Sequence, residues 1–253
     1  MKSINIFINE KLKISKAKKI VKVKHTLFPE SRSSLNNMIR DEMQNNGNNC
    51  SLNHIDTSKI KDMSRLFYDI DFTGDISQWD VSNVTNMSKM FCMSIFNGDI
   101  SDWDVSNVIN MNGMFESSYF DGDISSWDVS KVKWMDAMFE FSDFNGDISQ
   151  WNVSNVEDMS AMFAQSNFNK DISNWDVRKV ENMYYMFANN KKFNQDISKW
   201  KLYNLKFAGE MFANSKFNQN ISNWDLSYIN PIDKYNIFTG CPIKQEYKPK
   251  GTN

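Results

Sequence analysis

Carboxylates recur along this chain at a fixed interval. Asp75, Asp99, Asp123, Asp147, Asp171 and Asp196 each precede an isoleucine, and Asp80, Asp104, Asp128, Asp176 and Asp225 each follow a tryptophan. Regularly spaced acids can do one of two things. They can accept backbone N–H groups within their own turns, as aspartate does in Asx turns, or they can hold calcium between successive turns of chain. The first is the expectation, because Asn152, Lys201 and Asn220 replace acids without breaking the pattern and the glycine-rich calcium signature is absent. Other chemistry has little to work with. The only histidines are His25 and His54, both outside the regular pattern, and no nucleophile motif or phosphate-binding glycine loop occurs. Cys50, Cys92 and Cys241 are odd in number and lack metal-ligand spacing, so free thiols are expected. No catalytic residue, cofactor or metal site is assigned.

The acids belong to a repeat. Trp79, Trp103, Trp127, Trp151, Trp175, Trp200 and Trp224 are spaced by 24 residues, with one step of 25. An isoleucine stands three residues before each and a phenylalanine seven before, while a Met-x-x-Met-Phe box follows. The unit reads F-N-G-D-I-S-x-W-D-V-S-N-V-x-x-M-x-x-M-F. A period in this range means stacked supersecondary units, none of which can bury its apolar face alone. The tryptophans are therefore expected to form the structural core.

Within a unit, Ile76, Trp79 and Val81 resemble the frame of a leucine-rich repeat and predict a short strand near 76–81. Met87, Met90 and Phe91, at three-and-four spacing, predict a short helical segment. The expected fold is an α/β repeat solenoid, leucine-rich-repeat-like, with one short strand and one short helical segment per 24-residue unit and an α+β N-terminal cap. Residues 1–50 form that cap: a hairpin over Ile4–Ile14, then a helix carrying Leu35, Met38, Ile39 and Met43, with Ser31 to Ser34 as N-caps and Gly47 as the stop. Residues 51–240 form seven to eight rungs, opening on a degenerate one at Leu52–Phe67, and residues 241–253 form a polar tail.

Charge separates the cap from the body. Residues 1–25 hold eight lysines and one glutamate, so the remainder is acidic against the overall charge of −2. Few aromatics interleave with these lysines, so they read as a solvated face and no nucleic-acid partner is expected. No export signal or membrane span is evident, which gives a cytoplasmic location by default.

The unit resembles the repeat of BspA-type leucine-rich-repeat proteins, in the short Met-Phe variant of mycoplasmal lipoproteins and other microbial surface proteins. The resemblance covers roughly residues 52–240, with Lys201 and Ala208 departing from it. It implies a curved solenoid and, for surface-exposed members, adhesion.

Positions free to vary between units are the candidates for partner contact. Trp134, Tyr184 and Tyr185 break columns that are otherwise small or polar, and Tyr119 and Phe141 lie on neighbouring loops. Lys133, Glu157 and Glu181 share the column beside Trp134. A protein-binding scaffold is the expected function, with a protein as partner. A cell-surface adhesin for host protein or glycan and a structural part of a larger assembly remain alternatives, and monomer versus self-association through the caps stays open.

Overall fold

The computed structural model describes residues 23–234 and 236–252. The hairpin expected over Ile4–Ile14 lies outside the described residues. The first regular element is helix α1, Arg32–Asn46. Ser31 caps it in extended conformation, its hydroxyl accepting the Ser34 N–H at 3.2 Å while Ser34 Oγ accepts the Ser31 N–H at 3.0 Å. Gly47, at φ 85°, ends it in a conformation that a side chain would strain, and its N–H donates to Met43 O at 2.8 Å. Leu35 and Ile39 are fully buried against the first unit.

Beyond α1 the units stack. Single-residue parallel bridges join Asp62, Asn86, Asn110, Trp134, Asp158, Asn182 and Phe207 in one unbroken column, each to its equivalent in the next unit. The pairing column is therefore at Asn86 and its equivalents, not at 76–81. There the chain turns instead, with Trp79 N–H donating to Ile76 O at 3.1 Å.

The Met-x-x-Met-Phe box is not helical. Met87, Lys89, Phe91 and Met93 donate their N–H groups to Asn110, Asn112, Met114 and Glu116 of the next unit, at 2.8–2.9 Å, while Met90, Cys92 and Ser94 bond back three residues within the unit. A helix would direct all of these N–H groups inward to the fourth preceding carbonyl. Here every second one crosses the stack. The alternation is enforced by left-handed backbone at two places per unit, such as Lys89 (φ 54°) and Met93 (φ 57°), recurring at Ala137 and Phe141 and at Ala161 and Gln165. Left-handed conformation costs a non-glycine residue about 1–2 kcal/mol, and the cross-unit hydrogen bonds offset it. Apolar residues at i, i+3 and i+4 thus share one face through successive turns. The longer helices of the described residues are limited to α1, with a single turn α2 at Pro231–Lys234.

The interior is made of ladders. Phe91 stacks on Phe96, five residues on, at 4.5 Å and on its equivalent in the next unit, Phe115, at 5.6 Å. Each core tryptophan is buried and donates its indole N–H to a carbonyl of the preceding unit, as Trp151 does to Ile124 O at 3.1 Å. The methionines of the boxes are completely buried and fill the spaces between rings without demanding one shape. Cys50, Cys92 and Cys241 are unpaired thiols, and burial pushes Cys92 up to about 11, which keeps it protonated and inert.

The one 25-residue step is absorbed at Asn190. In five other units a buried serine, such as Ser166, accepts the N–H of the phenylalanine two residues on (Phe168, 3.4 Å). Asn190 replaces it where the extra residue bulges, and its Oδ1 accepts from both Lys192 and Phe193 at 2.9 and 2.8 Å. Its Nδ2 donates to Phe163 O, Ser166 Oγ and Phe168 O.

Residues after Cys241 do not form a loose polar tail. Ile243 is buried, Ile221 N–H donates to Tyr247 O at 3.0 Å, and Lys244 N–H donates to Asn218 Oδ1 at 3.1 Å. This segment covers the open end of the last unit, as a terminal cap must.

Candidate partner-binding surface

The repeated aspartates are occupied by the backbone. Asp75, Asp99, Asp123, Asp147, Asp171 and Asp196 each accept the N–H of the serine two residues on, at 2.8–3.1 Å. Asp80, Asp104, Asp128 and Asp225 do the same in a second turn. A third Asx turn lies in the pairing column, where Asp62, Asn86, Asn110, Asp158 and Asn182 accept from the residue two further on. Hydrogen bonding to the charged form lowers a carboxyl's pKa. The serine N–H, then its hydroxyl, holds Asp123, Asp147, Asp171 and Asp196 below the ordinary carboxylate value, and at Asp128 and Asp225 the hydroxyl leads. Burial acts the other way at Asp136 and Glu140, which it pushes up.

Depressed carboxyls stabilise the fold above their unfolded pKa of about 4, and that contribution is lost as pH falls through the lower folded values. Asp136 and Glu140 oppose this, regaining stability on protonation, but they are outnumbered. Thermal melting should therefore be flat near neutrality and fall steeply below about pH 4. Asn152 and Asn220 already accept the same N–H in two units, at 3.2 and 3.1 Å. Replacing Asp123, Asp147 and Asp171 by asparagine should leave the neutral-pH melting point nearly unchanged and flatten the acid limb. An acid limb as steep as the wild type's would show that other groups drive it.

Trp134 sits in the pairing column with its backbone bridged to Asn110 and Asp158, and its side chain is 42% exposed. Neither Trp134 nor Phe207 can offer the side-chain oxygen that closes the third Asx turn in the other units. Tyr184, 39% exposed, lies two units on and two residues along; the close approach of its ring uses the missing side chain of Gly209, where a Cβ would come within 2.8 Å of the ring. Tyr185 is less available. It meets Tyr184 edge-on at 4.2 Å, its hydroxyl donates to Glu210 Oε1 at 2.9 Å, and Tyr184 and Glu210 together hold its phenol above the usual value. Lys133 pairs with Glu157 at 2.8 Å, and Glu181 with Lys206 at 2.7 Å, so the charged candidates are bound to each other across units.

Tyr119 and Phe141, 64% and 52% exposed, occupy a corner of the stack away from the pairing column. Met93 and Ile95 in the preceding unit and Tyr68 in the one before stand exposed at the same corner, with the Tyr68 hydroxyl 3.5 Å from Met93 Sδ. The variable columns weighed in the sequence stopped short of this corner. In later units it carries Gln165, Asn167, Asn189, Lys191, Asn214 and Lys216. Further aromatics surround Tyr203, which replaces a serine or arginine of the repeat. Tyr203, Phe207 and Tyr228 line a shallow cleft of about 370 Å³ beside Asp233.

Charge is also divided along the stack. Residues 51–169 hold 19 acidic and six basic side chains, residues 170–253 hold eight and 13. The histidines stay at the first end: His54 Nε2 is 3.5 Å from Glu42, and His25 Nδ1 is 3.9 Å from Asp56. Among the described residues no group of three His, Cys, Asp or Glu side chains is placed to hold a metal ion, and no helix is long and apolar enough to cross a membrane.

A family model described as Mycoplasma protein of unknown function, DUF285, matches residues 33–145 and again residues 140–248. No curated protein and no solved structure matches this chain. The two matches together run from within α1 to the terminal cap and follow the repeat throughout, so the chain belongs to DUF285, a mycoplasmal repeat family of unknown function.

Proposed function

We propose that this chain is a non-enzymatic protein-binding scaffold: a leucine-rich-repeat-like solenoid, related to the BspA type, that offers a variable face to a protein partner. One observation carries the reading. At Trp134 the chain gives up an Asx cap that five other units keep and places a large indole in solvent instead. Exposed tryptophan and tyrosine are the residue types that dominate interaction hot spots. Tyr184, seated over Gly209, is a second such anchor.

The test is capture from the source cell and its natural neighbours with wild type and a Trp134→Ala, Tyr184→Ala, Tyr185→Ala variant of unchanged circular dichroism. A captured protein, once purified, should bind the variant at least about 30-fold more weakly, the effect of losing roughly 2 kcal/mol at hot spots. Equal affinity for both would remove this face from consideration. Binding of glycan instead of protein would favour an adhesin, and capture of the chain by itself a structural role.

A further inference from the structure

Eight equivalent corner segments lie one above another along the stack: 68–74, 92–98, 116–122, 140–146, 164–170, 188–195, 213–219 and 239–245. The last is held in line by Asn214 N–H on Thr239 O and Lys244 N–H on Asn218 Oδ1. Their charges are sorted. The first four segments hold Asp69, Asp71, Glu116, Asp121, Glu140 and Asp143 and no basic residue, and the last four hold Lys170, Lys191, Lys192, Lys216 and Lys244 and no acidic one. Apolar exposure is sorted the same way. Tyr68, Met93, Ile95, Tyr119 and Phe141 stand exposed in the first four, while Gln165, Asn167, Asn189 and Asn214 occupy the corner in later units. Met93 and Phe141 hold left-handed backbone (φ 57° and 55°), a conformation that favours the Asn189 and Asn214 of those later units.

Within the chain these charges are seldom met by an opposite one. Among the described residues none of the five lysines is in an ion pair; Lys191 donates to Asn214 O and Lys244 lies 4.9 Å over the Tyr247 ring. Glu116 pairs with Lys89 at 2.9 Å, but Asp121 and Asp143 accept from neutral groups, the N–H of Asn145 and the Nδ2 of Asn167. A fitting occupant sets positive charge on the first half of this strip and negative charge on the second. A second copy of the chain, turned end for end, does both.

We propose that two copies pair antiparallel along this corner, about a two-fold axis between segments 140–146 and 164–170. Each segment then faces the one equally far from the axis. Asp143 meets the partner's Lys170, Asp121 meets the partner's Lys191 and the partner's Lys192, and Asp71 meets the partner's Lys244. Phe141 lies beside the axis against its own copy, and the alkyl stems of the lysines cover Tyr119 and Ile95. Symmetry makes every contact twice and occupies both halves of the strip, so association closes at the dimer. Seven steps at strand spacing make the strip about 34 Å long, which puts the interface at the small and weak end of its class. Trp134 and Tyr184 stay open to another protein, so the pairing does not depend on capture at Trp134.

Sedimentation equilibrium on the full chain should show dimers at about 200 µM in low salt and a dissociation constant about tenfold higher in roughly 0.5 M salt. An Asp71→Lys, Asp143→Lys variant and a Lys170→Glu, Lys244→Glu variant each set like charges against each other. Alone, each should associate at least about tenfold more weakly, whereas an equal mixture of the two should pair to within about threefold of wild type. A Tyr119→Ala, Phe141→Ala variant should also lose about tenfold, roughly 1.4 kcal/mol of apolar contact. All the substituted side chains are exposed, and circular dichroism checks that the fold persists. The Trp134→Ala, Tyr184→Ala, Tyr185→Ala variant should dimerise as wild type does, which separates this contact from the face proposed for a partner. A chain that stays monomeric at that concentration, assemblies larger than a dimer, or variants of the corner that pair as well as wild type would overturn the proposal. So would a mixture that fails to restore pairing, or loss of the dimer in the Trp134 variant.

Discussion

Trp151→Ala should destabilise the protein by about 3–5 kcal/mol, the upper range for truncating a buried large side chain. Trp151 stands in the middle of the stack, 3% exposed, 6.4 Å from Phe139. Truncation opens a cavity that units locked on both sides cannot close, and it strands the Ile124 carbonyl that accepts the indole N–H at 3.1 Å. Trp151→Phe should cost about half as much, since the ring volume is partly kept while the hydrogen bond is lost. Urea unfolding followed by circular dichroism measures both. Because stability in stacked units is a sum of unit and interface terms, a central break should also broaden the transition by letting the two halves unfold separately. A cost under about 1 kcal/mol would mean that the ladders contribute far less than their burial implies.

Asn190→Ala should come close behind, at about 3 kcal/mol, for a different reason. The side chain is fully buried and its two ends serve five groups, so its removal leaves the N–H groups of Lys192 and Phe193 and three acceptors short of a partner. Buried unsatisfied groups cost about 1–3 kcal/mol each, less whatever relaxation recovers. Asn190→Ser alone should remain impaired, because serine is too short to span the bulge. Combined with deletion of Lys191 it re-creates the Ser166-Asn167-Phe168 arrangement, and stability should return to within about 1 kcal/mol of wild type. Failure of the double change to rescue would show that the inserted residue is needed for something besides its own accommodation.

Burial was legible in the sequence because it depends on side-chain type at a fixed period. Ile76, Trp79, Val81, Met87, Met90 and Phe91 could be assigned to the interior from spacing alone, and all are buried. Backbone conformation was not legible in the same way. Spacing of three and four is satisfied both by a helix and by consecutive turns, and the choice between them rests on where the N–H groups of Met87, Lys89 and Phe91 go. Those groups find carbonyls 23 residues away, which no pattern within a unit records. Helix α1 could be read because its determinants, Ser31, Ser34 and Gly47, are local. For the candidate surface, Trp134 and Tyr184 stood out against their columns. Tyr185 looked equivalent and is held by Glu210 instead. Tyr68, Met93 and Ile95 escaped notice because the corner they share with Tyr119 and Phe141 exists only once the units are stacked.

Each unit offers the one before it the same row of carbonyls that it meets in the next, in the spacing of Met87 to Asn110, Met111 to Trp134 and Met135 to Asp158. In its backbone ladder a unit therefore has no private partner. Unequal recombination within the repeat would insert or remove one whole turn and keep the backbone ladder at each junction. The number of turns is then a variable that heredity can adjust in a single event, with the two terminal segments carried along intact, and the length of the exposed face can change without any new solution to the folding problem.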